Sequence, residues 1–173
     1  MVAIRENYHT YVAPKWVTRT VERLLASIPE GHLSGLSSIV LTEAAAVERA
    51  RQPRRNRGRQ PLGRYHGAWR GEQAWIELVV DQIVADLRPL DKLQVARDLA
   101  FGRVLFHEVG HHLHDTRRGT GPTGEAGAES WRARLTRIHV ARCYGYLRPL
   151  APLLWALRKV VMGLSRSARR RTQ

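Results

Sequence analysis

Apolar residues first fall into a regular pattern at Val17, Val21, Leu24, Leu25 and Ile28, the three-and-four spacing of a helix with one buried face. A helix is predicted over residues 14–28. Pro14 suits a first turn, and Pro29-Glu30-Gly31 ends the element. The pattern then changes. Residues 36–41 (LSSIVL) read as a short strand, with Gly35 before it and a helix-tolerant run of alanines after it. A hairpin follows: one arm runs from Arg64 to Trp69, the turn is Arg70-Gly71-Glu72, and the second arm is Gln73 to Asp81. In that second arm Trp75, Glu77 and Val79 alternate with Ile76, Leu78 and Val80, and aromatic and β-branched residues are plentiful.

From Asp91 to about Asp115 no proline interrupts a long helical pattern, and Asp91 is placed to cap its start. A glycine-rich loop over 119–124 leads to a second helix from about Glu125 to Tyr144. A last helix is predicted over 147–164, where Trp155, Leu153, Leu154, Leu157 and Val160 make an apolar face suited to a core or a dimer contact. The elements add up to an α+β fold. An N-terminal helix, a small, mostly antiparallel sheet, one long helix and C-terminal helices form a single domain over residues 1–164.

Charge is concentrated at two places. Lys and Arg number 29 against 15 acids, a formal net charge of +14. Residues 51–60 (RQPRRNRGRQ) hold five arginines and nothing apolar, which predicts a solvated loop inserted between core elements. Residues 165–173 hold four more and read as a disordered basic tail. Arg51–Arg59 and Arg166–Arg171 are therefore candidate contacts for nucleic acid or an acidic protein, or simply a solubilising surface. Cys143 is the only cysteine, so neither an intrachain disulfide nor a cysteine metal cluster can form. No run approaches the ~20 apolar residues of a membrane span, and residues 1–16 lack the apolar stretch of a secretory signal. A cytoplasmic location is the expectation.

The candidate chemistry lies in the long helix, in Phe106-His107-Glu108-Val109-Gly110-His111-His112-Leu113-His114, which holds four of the eight histidines. His107 and His111 are separated by about 400° of helical rotation and project from nearly one face. Two neutral imidazoles so placed can take two corners of a tetrahedral zinc site, while Glu108, about 100° around, stands beside the ion as a base for a water. His112 points the opposite way and is expected in the core. His114 is expected at the exposed helix end, as a cap or a neighbour of the site. Gly110 costs about 1 kcal/mol against alanine inside a helix, which close approach of another backbone would explain. A catalytic zinc needs a third protein ligand, and Glu125, Glu129, His139 and Asp115 are the candidates.

The run HEVGHH followed by EAGAE resembles the gluzincin metallopeptidases, in which a His-Glu-x-x-His helix precedes a helix bearing Glu-x-x-x-Asp. The wider run RDLAFGRVLFHEVGHHLH resembles the active-site helix of small ImmA/IrrE-type peptidase domains. The likeness spans residues 64–135 and implies a minimal zincin-like fold with one zinc ion per chain. It implies Glu125 as the third ligand, Ala128 as the small residue before the acid, and Glu129 in the place of the usual aspartate. Glu129 then either supports a ligand histidine or replaces Glu125 on the metal. Tyr144 and His139 are candidate donors to a developing oxyanion. The implied activity is hydrolysis of peptide bonds in a protein or peptide, by water activated by zinc and Glu108, with the strand Gln73–Asp81 pairing with an extended substrate. The alternative is a nucleic-acid-associated or regulatory zinc protein with little turnover.

Overall fold

The computed structural model describes residues 2–50 (48–50 as backbone only), 61–87, 90–116 and 124–146. The predicted basic insertion at 51–60, the glycine-rich segment 119–123, the helix over 147–164 and the tail lie outside these residues. Among the described residues the fold is α+β, with four strands in one sheet and five α-helices. In chain order these are β1 (Ala3–Asn7), α1 (Trp16–Ser27), β2 (Leu36–Thr42), α2 (Ala44–Ala50), β3 (Gly63–His66), β4 (Ala74–Val79), α3 (Val80–Leu87), α4 (Gln94–Asp115) and α5 (Gly124–Tyr144). The chain divides into two compact units, one ending at His139 and the other beginning at Val140. In the second, Tyr144 is buried and its ring centroid lies 6.5 Å from that of Tyr146.

The sheet order is β1-β2-β4-β3. The expected mostly antiparallel sheet is corrected: β1 and β4 both run parallel to β2, and only β3 is antiparallel, to β4. Two features account for the difference. Residues 3–7 (AIREN) form an edge strand that is largely exposed, so pairing with β2 rather than burial holds it, and no alternation of apolar positions announces it. The excursion from β2 to β4 passes through α2 and β3, which returns the chain in the same direction as β2. With parallel neighbours on both sides, β2 is buried along most of its length, as strands inside parallel sheets are.

The second arm of the predicted hairpin ends early. Val80, Ile83, Val84 and Leu87 are buried at helical spacing, and Asp81 Oδ1 accepts the Ala44 N–H, so α3 ties itself to the start of α2. The long helix starts later than predicted. Asp91 sits in a short 3-10 turn (Leu90–Lys92), and Leu93 occupies the N-cap without a side-chain bond. The predicted first helix keeps its register, with Val17, Val21 and Leu24 buried. These side chains join Ile39, Leu41, Ile76 and Leu78 of the sheet and Phe101, Leu105, Val109 and Leu113 of α4 in one core. Helix α4 thus lies across the sheet with one face buried and the opposite stripe open.

Candidate metal centre

Helix α4 presents His107 and His111 on its open stripe, their side chains 25% exposed and their Nε2 atoms 3.2 Å apart. Their ring planes are nearly perpendicular, at 82°. The third group comes from α5, whose position is set by close packing. A Cβ on Gly110 would lie 2.7 Å from Ala128 Cα and 2.8 Å from its carbonyl oxygen, so a glycine on α4 is what lets the two backbones meet. One turn before Ala128, Glu125 reaches the histidines: Oε2 is 3.2 Å from His107 Nε2 and Oε1 is 3.6 Å from His111 Nε2.

These three residues offer one ligand atom each within 4.8 Å of one another, a group that could hold a metal ion. The separations of 3.2 to 3.6 Å suit a single ion. In a tetrahedral site with bonds of ~2.0–2.1 Å, ligand atoms stand about 3.3–3.4 Å apart. Two imidazoles and one carboxylate also form a set that binds such ions and leaves a position open. Burial is the largest influence on His111, and together with nearby His107 it holds the imidazole below its ordinary range, against the pull of Glu125. That favours the neutral form a ligand must have.

Glu129 sits one turn beyond Glu125. Its Oε2 is 3.8 Å from Nδ1 of His107, the nitrogen turned away from the ligand cluster, and it accepts a 2.7 Å bond from Arg132 Nε. The Arg132 bond keeps its carboxyl below the usual range. Glu129 is thus aimed at the far side of a candidate ligand rather than at the cluster.

Glu108 is fixed from a different direction. It lies 8% exposed where α4 passes β3, and its carboxylate accepts the backbone N–H of Tyr65. The approach is tight: a Cβ on Gly63 would stand 2.5 Å from Val104 Cγ1 and 3.1 Å from Glu108 Oε1. Burial raises the Glu108 pKa, with His107 and the Tyr65 N–H opposing and Glu125 adding to the rise. The carboxylate stands beside the cluster but outside it.

A cleft of about 660 Å³ opens over these groups and is lined by Arg64, Tyr65, His107, Glu108, His111 and His114, among others. His114 therefore belongs to its wall. His112 is fully buried, as expected, with Nε2 3.1 Å from the Ser34 carbonyl and its ring against Tyr65. Asp115 lines the cleft but accepts the Tyr65 hydroxyl at 2.8 Å and is not part of the three-residue cluster. His139 lies elsewhere. It is 1% exposed, with Nε2 3.1 Å from Asp98 and Nδ1 3.0 Å from Ser27 Oγ, and it does not line the cleft. Tyr144 belongs to the second unit.

The strand bordering the cleft is not the one expected. β4 lies between β2 and β3, so both its edges are used; β3 is the edge strand and supplies Gly63, Arg64 and Tyr65 to the wall. The hairpin forms where expected, but its first arm and not its second borders the cleft. Tyr65, not among the expected site residues, holds Glu108 through its N–H and Asp115 through its hydroxyl. The one visible signal was Gly63 at the head of the arm, where close backbone approach is common. Comparison of the chain with protein-family models, curated proteins and solved structures returns no match.

Proposed function

We propose that this chain is a zinc-dependent peptidase of the gluzincin kind, related in design to small ImmA/IrrE-type domains, with His107, His111 and Glu125 as ligands and Glu108 as general base. The observation that carries this reading is the near-tetrahedral spacing of three ligand atoms next to a carboxylate held off the cluster by the Tyr65 N–H. Glu129 Oε2 faces His107 Nδ1 across 3.8 Å, longer than a hydrogen bond, and on this reading closes on it when the metal binds, as carboxylates that orient ligand imidazoles do.

A zinc ion bound by these residues would supply an acidified water and polarisation of the scissile carbonyl. Glu108 accepts the proton as the water oxygen attacks the carbonyl carbon. It then delivers that proton to the departing nitrogen as the C–N bond breaks, leaving an amine and a carboxylic acid whose remaining proton passes to the amine or to solvent. Its place beside the cluster but outside it suits both steps, since the acceptor must reach first the water and then the departing nitrogen. Among the described residues no strand pairs with the outer edge of β3, which borders the cleft and can add an extended peptide as a further strand.

The test is zinc per chain by elemental analysis in the wild type and in His111→Ala, Glu125→Ala and Glu129→Ala, purified without added metal. Near-stoichiometric zinc, lost in His111→Ala and Glu125→Ala and retained at reduced affinity in Glu129→Ala, is the expected result. A folded wild type that neither carries nor accepts zinc would remove the basis of the proposal.

A further inference from the structure

The open stripe of α4 does not stop at the histidines. Arg103 precedes His107 by one turn, and Asp115 follows His111 by another. Together the four positions form a line of about 18 Å along the helix, room for about five residues of extended chain. On the Arg103 side the cleft continues as a second hollow of about 470 Å³, which shares Gly63, His107 and Glu108 with the first and is lined further by Leu62, Arg103 and Arg132.

The two ends of this line differ in charge. At the far end Asp115 is engaged by the Tyr65 hydroxyl. In the second hollow Arg132 is engaged by Glu129. Arg103 is exposed and makes no ion pair with any described residue, yet it borders the hollow beside His107 and Glu108. A guanidinium left open next to apolar Leu62 and Val104 is a receptor for a carboxylate, which it can hold by two parallel bonds.

We propose that Arg103 is a specificity-determining residue that selects peptides carrying an acidic side chain within about two residues of the bond cut. The distance follows from the helix: one turn separates Arg103 from His107, about 6 Å, and extended chain advances ~3.4 Å per residue. The inference rests on the peptidase reading above, and the experiment is arranged so that the two can fail separately.

The probes are blocked, labelled octapeptides of otherwise apolar sequence, each carrying one glutamate, or one glutamine, at a successive position. Their binding to the zinc-loaded Glu108→Gln protein is read by fluorescence anisotropy. At one position glutamate is expected to bind at least tenfold tighter than glutamine. Adding Arg103→Gln abolishes that ratio, whereas Arg137→Gln, an exposed arginine elsewhere on α5, leaves it unchanged and so controls for the overall positive charge. Equal binding of the glutamate and glutamine series, absence of binding, or a ratio that survives Arg103→Gln each overturns the proposal. Incubation with the wild type separates the two readings. Cleavage without acidic preference leaves the peptidase standing and removes the role of Arg103. Arg103-dependent binding without cleavage does the reverse.

Discussion

Two glutamates of this chain that expose little surface are pushed in opposite directions. Glu43, at the end of β2, is 1% exposed, and its carboxylate accepts the Thr10 and Tyr11 N–H groups and the Thr10 hydroxyl. Burial works to raise its pKa, but these donors, with the His9 N–H, outweigh it and the pKa falls. Glu108 is 8% exposed and accepts the Tyr65 N–H, and there burial prevails and the pKa rises. The same contrast separates the histidines. His139 is closed in by Ser27 and Asp98, and Asp98 is further engaged by the Arg23 guanidinium. His107 and His111 turn toward a cleft and toward a glutamate whose side chain is 84% exposed. Burial therefore does not distinguish a working group from a structural one. What distinguishes them is whether hydrogen-bonding capacity is filled from within the fold or left for something that arrives.

The largest expected effect comes from removing the proposed base and keeping its shape. Glu108→Gln should lower turnover of an unfolded protein about 10²–10⁴-fold, the usual contribution of a positioned proton acceptor. Zinc content should be unchanged, because Glu108 stands outside the ligand triangle. Equal turnover in variant and wild type would place Glu108 with the structural carboxylates.

The closed network is expected to answer in stability instead. Asp98→Ala removes the carboxylate that accepts from the Arg23 guanidinium and contacts His139 Nε2. Breaking a buried ion pair from one side costs about 3–5 kcal/mol, and the part-exposed Arg23 favours the low end, about 3 kcal/mol, by denaturant unfolding. Zinc per folded chain should stay as in the wild type. A loss under about 1 kcal/mol, or a loss of zinc at unchanged stability, would mean that this network serves the cleft.

How far this division could be read from the sequence depended on the range of the signal. The His107-Glu108-His111 spacing is local to one helix, and helical geometry turns spacing directly into direction, so those residues were legible. The packing of Gly110 on Ala128 was half legible: the cost of a glycine mid-helix pointed to a close neighbour, and the identity of the neighbour came only with the fold. The strand β1 left no trace because its residues are held by pairing and not by burial. Helix α3 did leave one, since Val80, Ile83, Val84 and Leu87 have helical spacing, but the alternation through Val79 and Val80 was followed past its end. The contacts of Asp98 with His139, 41 residues apart, and of Glu43 with Thr10, 33 apart, have no local pattern at all. The donor role expected of His139 met that limit: a histidine downstream of a metal motif looks available until its partners are known.

The smallest effect concerns Glu43, and pH sets its sign. Its carboxyl has a lower pKa in the folded chain than in the unfolded one, where the value is near ~4.3. The folded state therefore releases the proton more readily, and at pH values between the two pKa values the unfolded state binds more protons. The stabilisation is fully present above the unfolded pKa and is lost as pH falls through the folded one. Glu43→Gln should accordingly flatten the part of the stability curve below about pH 4.3 while keeping a side-chain oxygen that accepts from Thr10 and Tyr11. Urea unfolding of the zinc-free protein across that range checks it. A variant whose acid limb superimposes on that of the wild type would show that the N–H groups of the β1–α1 connection do not hold the anion, and the contrast with Glu108 would then rest on the cleft alone.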